Sequence, residues 1–531
     1  MLNKSYSLNQ TRIFIFVFSL IISLFSYLYF FHLGLTNLYG DGIAHLNIAR
    51  KIVDLDTTSI WQRYIQLGSP WLPLPHFLML PFIWHDYFWR TGLAGSLVSM
   101  ISYLICVMSL FEIANIFASS YFRQEQHLLA GILAALIFAL NPSILYLQSS
   151  PMTELPFLAT YVLALYLLLK WSLSDSKKYL ILSAFITSLA TLTRYEAWAM
   201  LPGAVLVISI AQQGNIKERA KSVFLWAAIG SLGIIYWLWH NWAIYGNPLE
   251  FYNGFYSAKG IYLRLQSRLG WADFTVGNLP LASLVAIASS LACSGLVSLL
   301  GIFSFFYTIF IIFRAKNKEF LIKVLPTFLL VIPFLFTIYS LYTGNIQIYP
   351  LSAISLLNVR SGLNITLALA IFTIIFRKPD NTKKFLIVFS LVVFNYYWLI
   401  SAGVNQLAVI QEPYRNNFNI SESRARRKLT NYLLTHPPQK KTLIYSGDLA
   451  AVIAFSRLKF QDIVFEGIDG WHSEKIPENV NTVVVKEGDS LWQKLEKMPD
   501  FPKDFQLIYE IGPSPRMMVW QKIESDKIND K

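Results

Sequence analysis

Eleven runs of mostly apolar residues, at about 13–33, 91–118, 128–147, 154–173, 179–193, 197–211, 222–243, 285–313, 320–343, 360–376 and 385–403, constrain this chain more than any other feature in it. About 20 apolar residues are enough to cross a hydrocarbon core about 30 Å thick. Within that core no water is present to satisfy peptide groups, so each run must close its hydrogen bonds internally, as a helix does. The expected fold is therefore a polytopic α-helical membrane protein with about 11 transmembrane helices. Composition agrees: 14% of residues are charged and 55% hydrophobic, whereas soluble domains are nearer a quarter charged. The first run is long and no small-residue cleavage pattern follows it, which argues against a secretory signal peptide. Both cysteines, Cys106 and Cys293, fall inside apolar runs, so neither a disulfide framework nor a zinc site is expected.

The formal net charge of +13 would suggest nucleic acid only if it clustered on a soluble domain. It does not, and no nucleic-acid partner is expected. The basic residues fall in alternate short loops: Lys4 and Arg12; Arg123; Lys177 and Lys178; Lys217, Arg219 and Lys221; Arg314, Lys316 and Lys318; Arg377, Lys378, Lys383 and Lys384. Positive charge marks the cytoplasmic side, which places the N-terminus inside and, after eleven spans, the C-terminal tail outside. The other loops are longer or aromatic. The first of them, 34–90, contains "GSPWLPLPHFLMLPFIWHDYFW", whose four prolines and three tryptophans exclude a simple helix and suggest segments lying along the membrane. Beyond residue 403 the patterning changes. "SESRARRKLTNYLL" reads as a helix, and "KTLIYSG", "QDIVFEG", "NTVVVKEG", "FQLIYEIG" and "RMMVWQK" read as short strands. The domains are then 1–403, a transmembrane domain carrying the long first external loop, and 404–531, a small α/β domain on the external face.

A charged side chain near membrane depth costs free energy, about 2.5–3.5 kcal/mol at a helix centre, so those retained at span ends are candidates for function. On the external side they are Asp41, His45, Glu154, Arg194, Glu196 and Arg360, with His240 and Asn241 beside them. Bland readings stand next to each. Asp41 suits a helix N-cap, His45 a packed interfacial histidine, Glu154 a first-turn carboxylate favoured by the helix dipole, and the arginines can snorkel to headgroups. Arg424, Arg426, Arg427 and Lys428 read best as a solvated helix face. Separate loops nonetheless place acids and arginines on one side only. Two carboxylates and two guanidiniums facing one cavity suit a phosphate-bearing substrate and proton abstraction.

The stretches "GDGIAHLNIAR", "GSPWLPLPHFLMLPF", "NPSILYLQSSPMTELPF", "LATLTRYEAW", "NWAIYGNPLEFYNGFYSA" and "NVRSG", in order over roughly 35–365, resemble the C-type (GT-C) membrane glycosyltransferases. The likeness is to the bacterial family 39 group, relatives of protein O-mannosyltransferases and aminoarabinose transferases. "NVRSG" departs from the "NVRYG" expected there. The resemblance implies a GT-C-like fold in the bacterial inner membrane and a polyprenyl-phosphate sugar donor. It also implies inverting transfer to an acceptor (protein, lipid or glycan) on the external face. By position, Asp41 would be the base, Glu154 the second acid holding acceptor or sugar, and Arg194 and Arg360 the ligands of the donor phosphate. His45, Tyr195 and Glu196 would add hydrogen bonds to the same groups, with His240 and Asn241 beside them. The Trp-rich part of the first loop would guide the prenyl chain. No cofactor or metal is expected, although two acids can hold a divalent cation. The competing readings are a transporter or flippase of lipid-linked sugars, which would place polar residues near the midplane of repeated halves, and a polysaccharide polymerase or ligase.

Overall fold

A computed structural model describes residues 7–119, 124–212, 215–269, 273–314, 325–352, 355–377, 382–498 and 501–523. Of the basic loop residues that set the topology, Lys4, Arg123, Lys316, Lys318 and Lys378 lie outside the described residues. Within the described residues every apolar run is largely helical. Among the described residues six helical stretches are by themselves long and apolar enough to span a bilayer: Leu8–His32, Leu93–Ser119, Glu154–Ser174, Ile216–Tyr245, Leu325–Tyr342 and Thr382–Ser401. The 128–147, 197–211, 285–313 and 360–376 runs coincide with shorter apolar helices, and the 179–193 run with the helix Lys177–Thr191. The chain is a polytopic helical membrane protein with a small C-terminal sheet domain. Large apolar side chains such as Phe224, Phe394 and Trp398 are left exposed on these helices. Contiguous exposure of that kind belongs to a lipid-facing surface.

Several runs are interrupted, and the interruptions have side-chain solutions. The 285–313 run divides into Leu279–Ser294 and Leu296–Arg314 at Gly295, whose φ is +63°. A Cβ there would come within 2.3 Å of Asn395 Oδ1. Asn395, from the helix Thr382–Ser401, accepts from the Leu296 N–H at 2.7 Å and donates to the Ser294 carbonyl at 2.9 Å. Peptide groups freed by a break at membrane depth must be satisfied in this way. The described part of the 320–343 run and the 360–376 run each open with a 3-10 segment, Leu325–Val331 and Val359–Ile365, before continuing as α-helix.

The chain divides into two compact units. One comprises the described parts of Met1–Thr36, Ser69–Pro75 and Ser96–Glu412; the other comprises Asn37–Gly68, His76–Gly95 and the described parts of Pro413–Lys531. The second unit thus takes in two pieces of the first loop, which composition does not reveal. Residues 350–352 and 355–356 form a small antiparallel hairpin, β1 and β2, in the first unit. The second unit holds a five-stranded sheet of β3 (Lys441–Ile444), β4 (Ile463–Val464), β5 (Val480–Lys486), β6 (Phe505–Ile511) and β7 (Met517–Lys522), in the order β4-β3-β5-β7-β6. Strands β4, β3 and β5 are parallel, and β5-β7-β6 antiparallel. The five strands match the five stretches read as strands, and the helix Ser421–Thr435 matches "SESRARRKLTNYLL". Val483, Val485, Leu443, Leu491 and Met518 are buried together in its core.

The first-loop helix Gly40–Asp54 is bonded to this sheet domain. Asn47 Nδ2 donates to the Ala450 carbonyl at 3.0 Å and Lys51 Nζ to Ser446 Oγ at 2.8 Å. Burial lowers the Lys51 ammonium against the opposing pull of Glu466. Arg50 donates to the carbonyls of Ile83 and Trp84 at 2.9 and 2.8 Å and pairs with Asp86 at 2.6 Å.

One carboxyl of this unit makes its stability depend on pH. Asp489 caps the helix Ser490–Leu495, accepting from Trp492 N at 2.7 Å and Lys486 N at 3.2 Å. Burial nevertheless outweighs these bonds and pushes the carboxyl up to about 6. A folded-state value above the ordinary value of about 3.9 means that the stabilising contribution is complete below about pH 4 and is lost as pH rises through about 6, up to about 3 kcal/mol. Amide exchange along β5 in the full-length protein should therefore quicken between pH 4 and 6, beyond the intrinsic pH effect, in the wild type but not in Asp489→Asn. Identical profiles for the two would exclude this role.

Candidate active site

The first unit brings four of the expected residues together. Glu154 is the first residue of the helix Glu154–Ser174, delivered by the Pro151-Met152-Thr153 turn. Arg194 is extended, immediately before the 3-10 segment Tyr195–Ala199 that carries Glu196. Arg360 lies in the 3-10 segment Val359–Ile365. That segment packs closely: a Cβ on Gly362 would come within 2.3 Å of the Ser289 backbone. The glycine of "NVRSG" is therefore required by contact with a neighbouring helix.

Glu154 Oε1 accepts from Arg194 Nη1 at 3.1 Å and from Arg360 Nε at 3.0 Å. Arg194 Nε and Nη2 both donate to Glu196 Oε1, at 3.0 and 2.9 Å. Asn364 Nδ2 donates to Thr337 Oγ1 at 2.9 Å and reaches Glu196 Oε1 at 3.4 Å. The Glu154 side chain is 4% exposed and the Arg194 side chain 21%, so the network is buried with one guanidinium edge open. Burial pulls the Arg194 guanidinium down, but Glu196 and Glu154 outweigh it and the net shift is upward. It stays charged at any working pH. Glu154 Oε2 is buried with no hydrogen-bond partner among the described residues. An unsatisfied buried carboxylate oxygen costs free energy unless something else meets it.

Sequence reading missed a member of this network. Glu412 Oε1 lies 3.8 Å from Arg360 Nη1, and its Oε2 accepts from the Asn358 N–H at 2.7 Å. Asn358 adopts φ +53°, a conformation rare outside glycine that needs such support. The signal was present as a lone acid in "IQEPYR", but Glu412 is 52 residues along the chain from Arg360, and only folding joins them.

Tyr195, His240 and Asn241 form a different assembly in the same unit. Asn241 accepts from Ser69 Oγ at 2.7 Å and donates to the Trp237 carbonyl at 2.8 Å. Tyr195 donates to the Pro70 carbonyl at 3.2 Å and accepts from Trp237 Nε1 at 3.1 Å, while His240 stacks on Trp237 at 4.5 Å. Together these contacts hold the 69–75 strip of the first loop in place.

Asp41 and His45 belong to the second unit, on the helix Gly40–Asp54. Asp41 is not the N-cap: Tyr39 holds that position without a side-chain bond, and Asp41 is the second helical residue. His45 Nδ1 is 3.0 Å from His76 Nε2. Burial, and then His45, hold His76 well below the ordinary histidine range, so it is neutral at pH 7. Of the loop tryptophans, Trp89 is fully buried, bonded to Asn47 Oδ1 at 2.9 Å and stacked by Arg50 and Arg90, whereas Trp84 is exposed. Among the described residues no group of three or more His, Cys, Asp or Glu is arranged to hold a metal ion.

A family model for dolichyl-phosphate-mannose-protein mannosyltransferases matches residues 83–240, the segment that supplies Glu154, Arg194 and Glu196. No curated protein matches the sequence. Among solved structures, ArnT from Cupriavidus metallidurans bound to undecaprenyl phosphate is similar over 96% of this chain and 98% of that one, with TM-score 0.52 and 12% identity. The oligosaccharyltransferase of Archaeoglobus fulgidus in complex with zinc and sulfate is similar over 95% and 72%, with TM-score 0.47 and 10% identity. The likeness to ArnT is one of fold. The matched family segment, residues 83–240, agrees with the resemblance read from the sequence.

Proposed function

We propose that this chain is a membrane glycosyltransferase of the GT-C type that moves a sugar from a polyprenyl-phosphate-linked donor to an acceptor hydroxyl on the external face of the bacterial inner membrane, with inversion. In this reading the N-terminus is cytoplasmic and the sheet domain external. The observation that carries it is the buried pair of guanidiniums, Arg194 and Arg360, set on the shared carboxylate Glu154. Arginine's fork of donors matches a phosphate oxygen pair. Because Glu154, Glu196 and Glu412 hold both side chains in advance, no large rearrangement is needed as charge develops.

The order of steps rests on the roles that the sequence resemblance gives these residues, with Asp41 in the second unit and the arginines in the first. Asp41 takes the proton of the acceptor hydroxyl as its oxygen bonds to the anomeric carbon. The carbon–oxygen bond to the donor phosphate breaks, and its electron pair leaves with the polyprenyl phosphate. Arg194 and Arg360 stabilise that leaving group. The open Oε2 of Glu154 accepts a hydrogen bond from a hydroxyl of the sugar or the acceptor. His45, through its contact with His76, positions the helix that bears Asp41. Similarity to a protein solved with undecaprenyl phosphate supports the donor class.

The test is transfer of radiolabelled sugar from undecaprenyl- or dolichyl-phosphate donors in membranes containing the protein. Wild type should label an endogenous acceptor, and Arg360→Ala should lose most of that activity while still being present in the membrane. Absence of transfer from every phosphoprenyl donor, combined with movement of the intact donor across the bilayer, would replace this reading with that of a flippase.

A further inference from the structure

The segment after the span Ile216–Tyr245 carries an exposed surface that the reaction does not use. The span ends in an aromatic face: Trp239, Trp242 and Tyr245 are exposed, Trp242 at 60%. At its other end Lys217, Arg219 and Lys221 are exposed. Aromatic side chains of this kind sit at headgroup level. The surface continues past Gly246. Leu249, Tyr252, Phe255 (61%), Tyr256, Ile261 and Leu263 (57%) are all exposed, on a short turn of helix at Glu250–Asn253 and the helix Ala258–Leu269.

Its inner side is anchored. Ser257 is buried, with its hydroxyl on the Gly254 carbonyl at 2.7 Å, and Tyr262 is buried with its hydroxyl 3.2 Å from Asp273 Oδ2. The outward apolar face is therefore not a consequence of a loose loop. Cations are set among these aromatics. Arg264 lies over the Phe255 ring at 3.7 Å and also bonds the Phe255 carbonyl; Lys259 lies over the Tyr252 ring at 4.9 Å. Over residues 246–269 Lys259, Arg264 and Arg268 outnumber the single acid Glu250.

We infer that residues 246–264 are a docking surface for the anionic phospholipid headgroups of the leaflet at the aromatic end of this span. The face is continuous with a lipid-facing helix, which selects the bilayer as occupant over a soluble partner. Exposed rings enter the headgroup region while Lys259 and Arg264 meet phosphates. The surface fixes the depth of the loop.

Nitroxide labels at Phe255→Cys or Leu263→Cys in the full-length protein test it directly, since native Cys106 and Cys293 are buried and will not label. Glu474→Cys in the sheet domain and Phe394→Cys on a lipid-facing helix give aqueous and hydrocarbon references. In liposomes, oxygen should broaden the 255 and 263 signals more than a water-soluble nickel chelate does. Adding phosphatidylglycerol to phosphatidylcholine should move both sites toward the Phe394 reference. The double variant Lys259→Gln, Arg264→Gln, with unchanged melting, should lose that shift. Chelate access equal to the Glu474 reference, or a depth indifferent to phosphatidylglycerol, would overturn the inference. Neither result depends on transfer activity, so failure here and failure of the glycosyltransferase reading are separable.

Discussion

Glu154→Ala is expected to destabilise the protein by about 3–5 kcal/mol, because it leaves two buried guanidiniums without the carboxylate they share. Arg194 Nη1 and Arg360 Nε both end on Glu154 Oε1. Glu154→Gln should behave differently. It keeps the volume and one acceptor oxygen but loses the charge that holds the cations. The Gln variant should therefore fold with a smaller loss of melting temperature while its transfer activity collapses, since Arg194 and Arg360 lose the charged carboxylate set between them. Thermal unfolding in detergent, read beside the radiolabel assay, distinguishes the two effects. An alanine variant that melts like wild type would mean that the ion-pair network adds nothing to stability. A glutamine variant with full transfer would remove Glu154 from the site.

The second large effect is expected at Asp41. Loss of a general base costs about 10²–10⁴-fold in rate, so Asp41→Asn should reduce transfer by that factor. Its melting should barely change. Asp41 is only partly buried and lies in the first turn of the helix Gly40–Asp54, where a carboxylate contributes about 0.3–1 kcal/mol through the helix dipole. A large rate loss with an intact fold is the signature of chemistry. Full activity in the variant would leave Asp41 as a first-turn carboxylate and no more.

The membrane architecture was legible because a hydrocarbon core imposes length and apolarity on every segment that crosses it, and those are local properties of sequence. The small sheet domain was legible for a similar reason: "NTVVVKEG" and "RMMVWQK" carry β-branched and apolar residues at strand spacing, and both pair in the sheet as β5 and β7. Breaks within spans were harder. Gly295 could be noticed, but Asn395, about a hundred residues away, is what makes the break tolerable.

The candidate site divides along the same line. Glu154, Arg194, Glu196 and Arg360 could be singled out because ionisable groups at span ends are costly and hence conspicuous. Glu412 could not, since it lies next to a soluble-looking stretch where acids are ordinary. Tyr195, His240 and Asn241 are equally conspicuous in the sequence, yet in the fold they hold the 69–75 strip.

By itself the sequence determined that this protein spans a membrane many times, that a small α/β domain follows the spans and that Glu154, Arg194, Glu196 and Arg360 lie at span ends. Each of these depends on residue type and spacing along the chain. Only the tertiary structure decided that one carboxylate bridges two arginines, that Glu412 completes the group and that the helix bearing Asp41 is built into the sheet domain through Asn47 and Lys51. Those are contacts between residues 40 to 403 positions apart, and no local pattern encodes which distant groups a helix will meet.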